Sequence, residues 1–80
     1  MNLVEFTELI VKKIVKEPDM VKVKDFTTDE GTTIEIIVSE NDIGRVIGKN
    51  GKIASSIRSL VQAKSYVDGL DKVKINIDSF

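Results

Sequence analysis

Hydrophobic residues recur with two different periods along this chain of 80 residues, and the order in which those periods alternate restricts it to an α+β fold. Val21 and Val23 alternate with Lys22 and Lys24, Asp29-Glu30-Gly31 marks a turn, and Ile34, Ile36 and Val38 alternate with Thr33, Glu35 and Ile37. This pattern predicts two strands joined as a hairpin. The period of two returns at the end, where Val73, Ile75 and Ile77 oppose Lys72, Lys74, Asn76 and Asp78, as in a sheet covered on one side. The remaining segments are helical in period. Leu3, Phe6, Ile10 and Ile14 form a stripe over residues 3–16, flanked by Val4, Val11 and Val15; Asn2 and Glu5 cap its start and Pro18 forbids continuation. Ser39 and Asp42 have capping-box spacing and predict a short helix, Asn41 to Ile47, that stops at Gly48. A longer helix follows Gly51, carries Ile53, Ile57, Leu60 and Val61 on one face and ends near Gly69. The predicted order is α-β-β-α-α-β, a three-stranded sheet with helices packed on one face, and residues 1–80 are expected to form a single domain.

The chain has no histidine and no cysteine, which removes the usual general base, thiolate chemistry, disulfides and the commonest metal ligands. Ser55, Ser56, Ser59 and Ser65 have no His to activate them, and Glu17, Asp19, Asp29 and Glu30 follow no metal-loop spacing. The expectation is a binding protein, not an enzyme, with no cofactor. Lys12, Lys13 and Lys16 interrupt the first apolar run, and no segment approaches the roughly 20 apolar residues of a membrane span, so a cytoplasmic location without membrane attachment is expected.

The net charge of −1 hides a division. Residues 1–40 hold nine acids and five bases, whereas residues 41–80 hold four acids and seven bases. From Ile43 to Lys64 every charged residue is basic: Arg45, Lys49, Lys52, Arg58 and Lys64. Within that segment two glycines bracket a Lys-Asn pair, Gly48-Lys49-Asn50-Gly51. Glycine admits backbone torsions closed to other residues and close approach of another chain, and the helix that follows presents unpaired N–H groups to an anion. Lys49 and Lys52 add point charges there, and Arg45 lies one turn earlier. Five glycines in 80 residues give about 0.3 such pairs by chance, so it is the helix-flanked, acid-free context that gives the spacing meaning. A nucleotide P-loop is excluded, because three residues separate Gly44 from Gly48 and Asn50 stands where Ser or Thr would hold magnesium.

With that loop in view, the chain resembles a KH domain, whose Val-Ile-Gly-x-x-Gly signature is present as Val46 to Gly51; Ile53 stands one residue before the next apolar position of the signature, which Ala54 fills. The element order is similar to the type II arrangement. Further segments, Val11-x-x-Ile14-Val15-x-x-Pro18-Asp19-x-Val21-x-Val23, Asp42 to Gly51 and Ile57-Arg58-x-Leu60, resemble the small bacterial KhpA family, in which one KH domain makes up nearly the whole protein. The resemblance implies single-stranded RNA binding, with the loop clamping the backbone of about four nucleotides and bases lying in a shallow apolar groove. Carried over by position, Gly48, Lys49, Asn50 and Gly51 are the clamp, with Arg45 and Lys52 beside it. Ile43, Gly44 and Val46 would floor the groove, with Ile36 or Val38 opposite, while Ile47, Ile57 and Leu60 are assigned to the core. Tyr66 is assigned to packing at the domain edge. Deoxyribose stays open, since a backbone clamp does little to exclude it.

The resemblance also implies a homodimer or a complex with a KhpB (Jag)-like KH protein, in keeping with a core this small and an apolar surplus on the first helix. The alternative function is a KH-fold interaction module that acts mainly through such a partner.

Overall fold

A computed structural model describes all residues, 1–80. Helix α1 spans Leu3–Ile14 and opens on the predicted capping box: Asn2 Oδ1 accepts from the Glu5 N–H at 2.8 Å, and Glu5 Oε1 accepts from the Asn2 N–H at 3.1 Å. It ends two residues before the expected Lys16, because Val15 is extended and the next two amides bind elsewhere, as described below. The buried face also differs from the predicted stripe. Leu3, Thr7, Val11 and Val15 face the sheet, with Ile10 and Ile14 only half-buried beside them. Thr7 fits because its hydroxyl donates to the Leu3 carbonyl at 2.8 Å, which satisfies the one polar atom it would otherwise bury.

After a 3₁₀ turn at Pro18–Met20, strands β1 (Lys22–Thr28) and β2 (Gly31–Val38) form the predicted antiparallel hairpin, in register from Lys22 opposite Ile37 to Thr28 opposite Gly31. Strand β3 (Val73–Ser79) pairs with β2 in parallel, so the sheet order is β1-β2-β3 and β2 is central. A parallel return needs a crossover, and the two intervening helices supply it on the face that also takes α1. Ile34, Ile36 and Val38 are fully buried on this face, each stabilising the fold by roughly 1.5–3 kcal/mol relative to an exposed side chain. Val73 and Ile75 continue the core from β3.

Helix α2 is short, Ile43–Ile47, and α3 spans Lys52–Val67. The buried residues of α3 are Ala54, Ile57, Val61 and Ser65, while Ile53 and Leu60 point outward at 36% and 50% exposure, so the predicted face is rotated about its shared members Ile57 and Val61. Ile47 is likewise exposed, which corrects its assignment, with Leu60, to the core. The helix closes as expected at Gly69, whose left-handed backbone (φ 80°) lets the Leu70 N–H reach the Ser65 carbonyl at 2.9 Å and the Gly69 N–H reach Tyr66 at 3.1 Å.

The predicted Ser39–Asp42 capping box does not form. Ser39 Oγ accepts from Asn41 instead, and the Asp42 side chain caps nothing in its own helix. Its carboxylate, 1% exposed, reaches across the fold to the end of α1, where Oδ1 accepts from the Lys16 N–H and Oδ2 from the Glu17 N–H, both at 3.0 Å. These are the amides that leave α1 early. No helix is long and apolar enough to cross a membrane.

Candidate nucleic-acid interface

Between α2 and α3 the backbone turns with three positive φ angles in four residues: Gly48 (76°), Asn50 (58°) and Gly51 (72°). The Gly48 N–H closes α2 on the Gly44 carbonyl at 2.9 Å, and the Gly51 N–H closes the turn on Gly48 at 3.2 Å. Lys49 and Asn50 are left as the exposed tip. The two glycines are required for different reasons. Gly48, with ψ 175°, occupies a region essentially closed to other residues, and a Cβ there would meet Ile53 Cγ1 at 2.6 Å. Gly51 is left-handed with nothing within 4 Å of its Cβ position. Ile53 therefore covers the loop instead of filling the core, which accounts for its place one residue ahead of the buried Ala54. Gly48→Ala should accordingly cost about 2–4 kcal/mol, from strain plus collision, and Gly51→Ala about 1–2 kcal/mol, from strain alone. Thermal melts of the two variants check this; equal costs would contradict it.

Of the five cations in the basic segment, two are engaged. Lys64 Nζ lies 2.7 Å from Asp68 Oδ1, and Arg45 Nε lies 3.7 Å from the buried Asp42 carboxylate. Lys49, Lys52 and Arg58 have no carboxylate partner. No side chain caps the N-terminus of α3 and no acid stands in its first turn, so the partial positive charge of that end is unopposed by any carboxylate of its own turn, and Lys49 and Lys52 adjoin it in sequence. Backbone amides, a helix end and free ammonium groups around an exposed turn hold anions.

The surface beside the loop differs from the expected groove. Ile43 is half-buried, and Gly44, Arg45 and Ile47 are exposed, Gly44 with nothing within 4 Å of its Cβ position. Val46, Ile36 and Val38 are fully buried, so none of the three can floor or wall a groove open to a base. A groove of about 600 Å³ lies instead between α3 and β3, lined by Arg58, Ser59, Gln62 and Tyr66 on one side and Lys72 to Ile75 on the other. Tyr66, 59% exposed, faces this groove and does not pack at the domain edge as expected. Arg58 stands about 9 Å along α3 from Lys52, so loop and groove share one helix. Sequence reasoning missed the groove residues, although Arg58, Gln62 and Tyr66 at intervals of four mark a polar and aromatic helix face.

A family model described as "KhpA/KhpB, KH domain" matches residues 4–77. The chain is 40% identical over 62 residues to the RNA-binding protein KhpA of Borreliella burgdorferi, covering 78% of this chain and 76% of that protein. It is 42% identical over 59 residues to the protein of the same name from Clostridium perfringens, covering 74% and 79%. In fold it is similar to part of Era from Aquifex aeolicus, with a TM-score of 0.72 at 20% identity; the match covers 98% of this chain and 30% of Era. A second structure of Era, in complex with MgGDPNP and nucleotides of 16S ribosomal RNA, gives a TM-score of 0.68 at 21% identity, covering 96% of this chain and 29% of that one. The signature loop between α2 and α3, the parallel return of β3 and the family match across nearly the whole chain agree: the chain belongs to the KhpA/KhpB family of KH domains.

Proposed function

We propose that this chain is a single-module cytoplasmic RNA-binding protein that holds single-stranded RNA by its phosphate backbone at Gly48-Lys49-Asn50-Gly51, and so serves as an RNA chaperone or post-transcriptional regulator. The observation that carries this reading is the uncapped N-terminus of α3 flanked by the unpaired Lys49 and Lys52 at an exposed two-glycine turn. The relatives named as RNA-binding proteins support RNA as the ligand. Phosphates would lie against the loop, with Arg45 within reach of the same strand, and bases would turn into the groove between α3 and β3. About four nucleotides fit such a module, so micromolar affinity or weaker is expected, with duplex RNA binding worse because its bases are not free.

Fluorescence anisotropy of a labelled eight-nucleotide single strand tests this. With about three cations on phosphates, log K against log salt should fall with a slope near −2. An affinity independent of salt would overturn the clamp.

A second reading, pairing with another copy or with a KhpB-like protein, draws on Leu9 of α1 and on Leu60 and Val67 of α3, which are apolar and exposed. Sedimentation at micromolar concentration tests it: a strictly monomeric protein that also fails to bind a KhpB-like protein would count against it.

A further inference from the structure

The face of the sheet that carries no helix is built from the other half of the strand alternation. Register sets Phe26, Thr33 and Lys74 in one row across β1, β2 and β3. Thr28 pairs with Gly31 in the next row on this face, at the hairpin turn, and Lys72 leads into β3. Phe26 is an aromatic side chain on an open pleat, 48% exposed. Beside it a second cleft, of about 430 Å³, opens between the turn and Lys72 and Lys74, with Thr28, Gly31 and Thr33 in its walls and no apolar side chain.

Lys72 and Lys74 line this cleft and also the groove between α3 and β3, so the edge strand is a ridge with a recess on either side. Neither lysine has a carboxylate partner. Acids bound the corner. Glu35 stands opposite Lys24, and Asp78 shares a row with Ile37 and Lys22, so the charge of those two lysines is opposed toward the other end of the face. Glu30 lines the cleft from the turn. The unopposed positive charge therefore lies on the β3 side, at Lys72 and Lys74, with Phe26 two strands away at about 10 Å.

Single strands are held where cations meet the backbone and an aromatic ring offers a face to a base, whatever the base. We propose that the helix-free corner of the sheet is a second contact for the same RNA: a strand leaving the groove crosses the ridge with its phosphates on Lys72 and Lys74 and stacks a base on Phe26. Continuity with the groove and the charge of the ridge select this occupant. The inference rests on the reading above that single-stranded RNA occupies the loop and groove. It makes binding depend on strand length. An eight-nucleotide strand with about four nucleotides in the groove leaves about two on either side, whereas sixteen leave about six, enough to turn over the edge.

The test compares eight- and sixteen-nucleotide single strands by anisotropy on the full chain and on two variants. Two added phosphate contacts should steepen the salt slope from near −2 with the eight-nucleotide strand to near −3.5 with the sixteen. Phe26→Ala should weaken the sixteen-nucleotide complex at least about fivefold, the weak end of base–aromatic stacking, and leave the eight-nucleotide complex unchanged. Phe26→Leu keeps apolar bulk without the ring and should behave the same way if the Ala variant melts early. Lys72→Gln with Lys74→Gln should return the sixteen-nucleotide slope to near −2. Equal slopes for the two lengths, a Phe26 variant that binds both strands as the natural protein does, or a lysine variant that weakens both lengths equally overturns the second contact and leaves the clamp intact. Failure of the natural protein to bind either strand overturns both.

Discussion

Replacing Lys49 and Asn50 together by Asp is expected to weaken single-stranded RNA binding by more than 100-fold and to leave the melting temperature nearly unchanged. Both side chains stand at the exposed tip of the loop and hold no partner in the fold. Asn50 has φ 58°, a left-handed conformation that Asp tolerates almost as well. Carboxylates just ahead of α3 also suit the positive end of that helix, so stability should change by less than about 1 kcal/mol. Binding changes much more, because one attraction becomes two repulsions against phosphate, each on the order of 1 kcal/mol or more at contact distance. A complex of micromolar affinity has only about 8 kcal/mol to lose. Anisotropy with the eight-nucleotide strand and a thermal melt check both halves. Retained binding would move the site elsewhere, and loss of partner binding with RNA binding intact would favour the interaction-module reading.

Asp42→Ala should give the largest loss of stability among the polar residues. It removes the acceptor for two backbone N–H groups, Lys16 and Glu17, together with the charge that faces Arg45. Hydrogen bonds to an ionised group are worth about 1.5–3 kcal/mol each, and leaving the donors unmet adds to the loss. A total of about 3–5 kcal/mol is expected, a large part of the 5–15 kcal/mol typical of a domain. The melting temperature should fall by about 15 °C or more. Asp42→Asn, which keeps one acceptor, should fall between the two. A loss below about 1 kcal/mol in the Ala variant would show that the carboxylate does not hold α1 and α2 together.

The strands and the loop could be read from local pattern because their causes are local. Alternation along Ile34 to Val38 and Val73 to Ile77 follows from a pleat with one buried face, and the Asn2–Glu5 box and the Gly69 stop are satisfied within a few residues. What could not be read depends on distant partners. Asp42 has the spacing of a helix cap, yet its two acceptors are taken by amides 25 and 26 residues away. Thr7 reads as polar, but a hydroxyl bonded to its own helix packs as an apolar group, and this rotates the face of α1. Ile53 reads as core by hydropathy, whereas the absence of a Cβ on Gly48 makes room for it over the loop. The same limit applies to the site. Gly48 to Lys52 and the acid-free run of bases are visible in sequence, but an edge strand and a central strand share one alternation. The groove along β3 therefore appears only once the sheet order is known, and with it the placing of Gln62, Tyr66 and Lys72 along its walls.

The central claim is that the loop between α2 and α3 meets the RNA backbone. The most direct measurement is paramagnetic broadening of amide resonances by a short single-stranded RNA that carries a nitroxide on one internal phosphate. The account predicts the strongest broadening at Gly48, Lys49, Asn50, Gly51 and Lys52, weaker effects at Arg58 and along Ile75, and none on the opposite face of the sheet at Lys22, Lys24 and Glu35. Broadening centred on that opposite face, with the loop amides sharp, would contradict it.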